Sequence, residues 1–297
     1  MEIGLVLPTI GPGAGLESLE AGASVASRLG WRSVWVTDHL VVAQGDEAEE
    51  YGTILEAIVS LTHVAARYPH LLVGTSVIVP PIRNPVILAK QFATLDVLSG
   101  GRLIVGVGVA DTNDLAEFRN LGVEHRMQRR GAFVDESIAL WRHLWGGATT
   151  PFHGEFFHLE DFVFRPLPPQ GSALPVWTGG RSPAAMKRAA QLADGYHAAR
   201  TGPADIVDRI DTLSALCAKA NRPLPTISVR ARIRFDDAPG DVYTMCGTDA
   251  DVAAEVRQFA ESGTDHLVVV LDETDPVKLV DIAERFHEVA VLAARGS

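Results

Sequence analysis

Short runs of β-branched and aromatic residues alternate along most of this chain with longer segments whose apolar residues recur at helical spacing. The short runs predict strands over residues 2–7, 33–37, 71–79, 102–109, 175–178, 195–199, 226–235 and 266–271. Helices are expected over 16–29, stopping at Gly30, and over 53–67, where Thr53 and Glu56 stand at capping-box spacing. Further helices are expected over 85–98, 115–121, 128–145, 182–192, 203–221, 250–262 and 275–294. Pro85 and Pro183 fall at first helical positions, where a missing N–H costs nothing. The polar stretch 44–51 reads as a long loop. Residues 149–171 break the rhythm with alternating aromatics around His153-Gly154-Glu155, the pattern of a β-hairpin excursion across one end of the fold.

Eight strand–helix units in a chain of 297 residues give the size of an α/β fold of the closed (β/α)8 TIM-barrel type, with insertion segments at its C-terminal face. A doubly wound sheet is the competing architecture, although it carries fewer strands and exposes two edges. No composition shift marks a linker, so one domain over residues 1–297 is expected.

The net charge of −11 argues against nucleic acid or an anionic membrane as partner. The first apolar run is too short for a signal peptide, and no run reaches the ~18 residues of a membrane helix. A cytoplasmic protein acting on a small-molecule substrate is the expectation. Cys217 and Cys246 lie in no CxxC pair, which gives neither a disulfide framework nor a thiolate metal site. No HExxH, His-x-His or Gly-x-Ser-x-Gly motif occurs, and no metal site is expected. His63, His70, His143 and His287 fall on helices or turns and read as surface groups.

Chemistry gathers at the carboxyl ends of parallel strands. The groups there are Thr9, then Thr37-Asp38-His39, Ser76, and Asp111-Thr112-Asn113. Thr178-Gly179-Gly180-Arg181-Ser182, His197 and Arg200 complete the set. Asp38-His39 suits a catalytic pair or a capped turn equally. Gly179-Gly180 before a helix N-terminus suits an anion such as phosphate, with Arg181 and Ser182 as added donors, or a plain capped turn. Gly106-Val107-Gly108 lacks the third glycine of a dinucleotide fingerprint, and lets a flat ligand or a neighbouring strand approach. Arg230, Arg232 and Arg234 alternate with apolar residues, either towards an anionic substrate or as ion pairs inside a barrel.

Four stretches together resemble the luciferase-like monooxygenase superfamily, in the branch that uses the deazaflavin coenzyme F420. They are residues 30–39, 74–80, 84–96 with 99–108, and 175–180, in matching order and spacing over nearly the whole chain. The resemblance implies a TIM-type barrel with a tricyclic redox cofactor across its C-terminal mouth. Thr37, Asp38 and His39 would approach the cofactor ring, Ser76 and Val77 would form a non-prolyl cis bulge behind it, and Val109, Ala110, Asp111 and Asn113 would run along its other side. Thr178, Gly179, Gly180 and Arg181 would seat the cofactor phosphate. In this reading hydride passes between the deazaflavin and a small organic substrate. His39 moves a proton, Asp38 orients it or bonds the ring, and Asp111 is a third catalytic candidate.

The branch's glucose-6-phosphate dehydrogenases carry Trp where Ala43 stands and Glu where Asp111 stands, and that pair serves their sugar chemistry. Their substrate is therefore not expected here. The alternatives on the same barrel are an FMN-dependent monooxygenase and a non-catalytic flavin-binding protein. A metal-dependent barrel hydrolase is more distant. The resemblance also suggests a homodimer.

Overall fold

Eight parallel strands follow one another around a closed barrel in sequence order. The computed structural model describes residues 1–236 and 242–295. The strands are β1 (Glu2–Val6), β2 (Ser33–Val36), β3 (Leu72–Thr75), β4 (Leu103–Val107), β5 (Val176–Thr178), β6 (Gly195–Ala199), β7 (Thr226–Arg234) and β8 (His266–Val270). β1 pairs with β8 as well as β2, and β6 with β7 from Gly195↔Thr226 to Ala199↔Arg230, so the ring of eight closes; the short segment Thr244–Cys246 adds a parallel pairing on the end of β7. Helices return the chain after each strand: α1 (Leu16–Arg28), α2 (Ala57–Arg67), α3 (Pro85–Ser99), α4 (Leu115–Asn120) with α5 (Arg130–Trp145), α6 (Pro183–Leu192), α7 (Pro203–Ala220), α8 (Asp249–Glu261) and α9 (Pro276–Arg295). The expected TIM barrel is present. No described helix is long and apolar enough to cross a membrane. The two short stretches 237–241 and 296–297 of the expected single domain lie outside the described residues.

The period-two pattern of the strands divides the interior into two cores. Ile227, Val229, Ala231 and Ile233 of β7 join the large core between strands and helices. Ser228 and Arg230, between them, face the barrel lumen. That lumen holds Trp35, Trp177, Val6, Ile104, Val268 and Val270. Trp35 lies 5.1 Å from both Trp177 and the His197 ring, and is stacked on the latter at 12°. A Cβ at Gly74 would enter the Trp35 indole, which explains a glycine inside a buried strand.

Two expectations at the mouth are corrected. The stretch read as a loop, residues 44–51, contains a short helix, Asp46–Tyr51. Thr53 does not start α2: Thr53–Ile54 pairs antiparallel with Ile10–Gly11, and the helix begins at Ala57, capped by the Glu56 carboxylate on the Val59 N–H at 2.7 Å. The tertiary bridge to the segment after β1 overrides the local capping signal. The hairpin pairs Phe152–His153 with His158–Leu159. It docks on α5, where the Glu136 carboxylate accepts the N–H groups of Glu155, Phe156 and Phe157 at 2.7–2.8 Å.

Candidate active site

The carboxyl end of β2 runs into Thr37, Asp38 and His39 at the mouth of the barrel. His39 Nδ1 meets the Glu117 carboxylate at 3.0 Å, and the other Glu117 oxygen accepts the Leu40 and Val41 N–H groups at 2.6 and 3.1 Å. Glu117 is buried on α4. Burial works against charge on His39, but the hydrogen bond and the negative charge of Glu117 more than offset it, and its pKa is raised. Burial likewise opposes the Glu117 carboxylate, while His39 and the two backbone N–H groups pull its pKa below the ordinary value. With Nδ1 committed to Glu117, Nε2 is the ring nitrogen left to meet a ligand. Tyr51, at the end of the short helix, packs its ring 4.9 Å from that of His39.

Asp38 does not orient His39, as the sequence reading allowed. Its carboxylate is buried and taken up by Arg83 on two sides and by the Val79 N–H at 3.0 Å. Burial pushes the Asp38 carboxyl up, and Arg83 and the Val79 N–H oppose that push. Arg83 in turn reaches Glu56 at 2.8 Å. Asp38 thus ties the end of β2 to the segment after β3.

Just beyond β3 the expected non-prolyl cis peptide is present between Ser76 and Val77. The Ser76 carbonyl accepts Arg230 Nη1 at 2.7 Å and Thr37 Oγ1 at 3.4 Å. Its hydroxyl bonds His197 Nε2 at 2.8 Å, whose Nδ1 bonds the Ser228 hydroxyl at 2.8 Å. Burial, with Arg230 and His266 nearby, drives His197 down to about 3, so the ring is neutral across the physiological range. Burial and Arg232 lower Arg230 to about 10, leaving it a cation on the lumen wall. Of the arginine ladder, Arg230 crosses to Ser76, and Arg232 pairs with Asp272 at 3.2 Å.

Along β4, a Cβ at Gly106 would run into the Thr75 carbonyl oxygen, and Gly108 faces the Val77 side chain. Ala110 has φ +70° where the chain leaves the strand. Asp111 is exposed and caps the next turn through the Thr112 N–H at 2.6 Å. That bond, the Thr112 hydroxyl and the charges of Arg200 and Arg130 hold its carboxyl low. Asn113 is exposed in the same turn.

After β5, Thr178 is buried and its hydroxyl has no partner among the described residues; the same holds for Thr9. A Cβ at Gly179 would sit 2.5 Å from the His197 carbonyl oxygen, and Gly180 has φ +105°. Ser182 spends its hydroxyl capping α6 on Ala185 N–H at 3.2 Å. Arg181 is exposed. The structure therefore joins Thr37, His197 and Arg230 through Ser76, while His39, two residues beyond Thr37, is held by Glu117 and Tyr51. The β5 group forms a separate bare-backbone corner.

Sequence reasoning missed Glu117, Arg83 and Tyr51. Glu117 stands 78 residues from His39 and Arg83 stands 45 from Asp38, so no local spacing announces either pair. The one signal was the length of the polar stretch 44–51, which carries Tyr51.

The model of the luciferase-like monooxygenase family matches residues 1–236. An F420-dependent glucose-6-phosphate dehydrogenase of Amycolatopsis mediterranei (strain U-32) is 35% identical over 173 residues, 58% of this chain and 50% of that protein. The chain spans about half the length of the curated relatives it matches. Among solved structures, an F420-dependent secondary alcohol dehydrogenase in complex with an F420–acetone adduct superposes with a TM-score of 0.82 at 18% identity, covering 97% of this chain and 98% of that one. A type II Baeyer–Villiger monooxygenase component of Pseudomonas putida with FMN gives 0.78 at 15%, covering 98% of each chain. At those identities the likeness is one of fold.

Proposed function

This chain belongs to the luciferase-like monooxygenase family, and we propose that it is an F420-dependent oxidoreductase of that family, a dehydrogenase or reductase acting on a small organic substrate. The observation that carries the reading is the His39–Glu117 pair at the barrel mouth, a proton-handling group fixed by a buried carboxylate. The relatives named F420-dependent dehydrogenases support the deazaflavin over FMN.

The residues present fit such a cofactor. Gly106 and Gly108 make room for the Thr75 carbonyl and the Val77 side chain, and so allow the cis bulge at Ser76-Val77 against which a flat ring would lie. The orphaned Thr178 hydroxyl, the bare Gly179-Gly180 backbone and the α6 N-terminus suit its phosphate. Thr37, Asp38, His39, Ser76, Val77, Val109, Ala110, Asp111 and Asn113 would line the ring, and Thr178, Gly179, Gly180 and Arg181 the phosphate. Bound there, the deazaflavin supplies hydride chemistry.

The chain's own groups supply the rest. His39 gives or takes the substrate proton at Nε2, while Glu117 fixes the tautomer and favours the protonated ring. Tyr51 walls the same space. Asp38 acts through the framework, clamped to Arg83, and is a positioning residue. Asp111 borders the mouth as a turn cap facing Arg200, a weaker candidate for the chemistry than His39.

We further read residues 1–297 as one cytoplasmic domain that works as a homodimer, without nucleic-acid or membrane partners. Exposed Ile87 and Val163, 58% and 77% accessible, are the kind of apolar surface a second copy covers. The deciding experiment is a parallel titration with F420 and FMN. Tighter binding of F420, followed by substrate-dependent bleaching of its absorbance, is expected. Affinity for FMN alone overturns the reading in favour of the monooxygenase.

A further inference from the structure

We propose that Tyr196 and Arg209 are positioning residues for an anion seat at residues 178–182, built to take the phosphate of a phosphorylated ring cofactor. The inference rests on the reading above for the choice of probe.

Tyr196 is wholly buried on β6, yet its hydroxyl is not idle: Oη donates to the Gly180 carbonyl at 2.9 Å. From α7, Arg209 Nη1 donates to Tyr196 Oη at 3.4 Å and to the buried Thr201 hydroxyl at 2.5 Å. Thr201 passes its own proton to the Ala199 carbonyl at 2.8 Å. The phenol is therefore a relay, taking a hydrogen bond from a cation and giving one to a glycine carbonyl. A charged donor at one end strengthens the bond at the other. Burial raises the Tyr196 pKa and Arg209 pulls it back, so the phenol stays protonated and remains a donor.

The consequence follows from peptide geometry. In a planar trans peptide the C=O and the next N–H point in opposite directions. Tying the Gly180 carbonyl inward to Tyr196 turns the Arg181 N–H outward, towards the space before α6. Gly180 holds φ +105°, a conformation that side chains resist, and a Cβ there would lie 2.8 Å from Ala185 Cβ. Untethered, a glycine peptide in this region flips cheaply. A second observation marks the place as a ligand site. Thr178 Oγ1 is buried without a partner among the described residues, and strand alternation puts it on the face opposite lumen-facing Trp177, the side on which α6 begins.

The test compares phosphorylated and phosphate-free forms of one ring: F420 against its phosphate-free hydroxydeazaflavin core, and FMN against riboflavin, by fluorescence titration. Tyr196→Phe and Arg209→Met are expected to weaken binding of the phosphorylated form about fivefold or more, leaving the phosphate-free form within about twofold. Arg209→Lys, which keeps a cation facing the phenol, is expected to recover most of that loss. Equal weakening of both forms assigns the relay a purely structural role and overturns the proposal, as does no change in either. Wild-type protein that takes the FMN pair rather than the deazaflavin pair refutes the F420 reading. The seat is then judged on the FMN-to-riboflavin ratio. Wild-type protein that binds no phosphorylated member of either pair overturns the seat as well.

Discussion

His39 Nδ1 and Glu117 Oε2 stand 3.0 Å apart across 78 residues of sequence, and the same carboxylate also holds the Leu40 and Val41 N–H groups. One buried side chain on a short helix therefore sets the imidazole's orientation, its tautomer and its proton affinity. An imidazole so held keeps its proton to higher pH than a free one, which suits it to donate in the direction of substrate reduction.

Glu117→Gln keeps the shape but removes the negative charge. The His39 pKa falls, so the limb of the kcat/KM–pH profile governed by His39 moves to lower pH. The imidazole resonances of His39, followed by NMR, should titrate at lower pH in step. An unmoved limb separates His39 from the proton-transfer step.

His39→Ala removes the group proposed to move the proton. A loss of about 10²–10⁴ in kcat is expected, the range typical of a positioned acid–base residue. The dissociation constant for F420 should change far less. If turnover survives with every substrate that the wild type accepts, His39 only borders the ring.

The Asp38–Arg83 pair predicts a stability effect. Asp38 is fully buried and Arg83 nearly so. Arg83→Met strands the carboxylate and should cost about 3–5 kcal/mol, read as a lower denaturation midpoint. The double variant Asp38→Leu/Arg83→Met, which removes the fully buried carboxylate together with its cation and leaves only the partly exposed Glu56 unpaired, should recover much of that loss. A single variant as stable as the wild type shows that the pair contributes nothing.

His197 and His266 predict an acid-sensitive fold. Burial holds them neutral, at about 3 and about 4. Unfolded, each takes up a proton below pH ~6.5. Their contribution is complete above that value and is lost as pH falls towards the folded pKa. The slope approaches about 1.4 kcal/mol per pH unit for each histidine. Urea midpoints between pH 7 and 5 should fall accordingly, and His197→Gln should flatten the curve. A flat wild-type profile over that interval contradicts the assignment.

The barrel was legible because its signals are local. Strand and helix periods, the glycines after α1 and α3, and the prolines opening α3 and α6 each act within a few residues, and eight such units admit few architectures. The exceptions were also physical. Thr53 and Glu56 carry a capping-box spacing, yet Thr53 pairs with Gly11, a strand contact that local pattern cannot register.

The same division runs through the site. The sequence alone determined which residues stand at strand ends, among them His39 and Gly179-Gly180, because strand termini follow from where the apolar runs stop; the strand expected over 71–79 instead ends at Thr75, just before the cis peptide at Ser76-Val77. The tertiary structure decided what those residues do. Asp38 and His39 are neighbours in the chain, but folding gives each a different partner: Arg83 for one, Glu117 for the other. Charge pairing depends on separation in space, and a closed barrel brings together groups that no spacing along the chain relates.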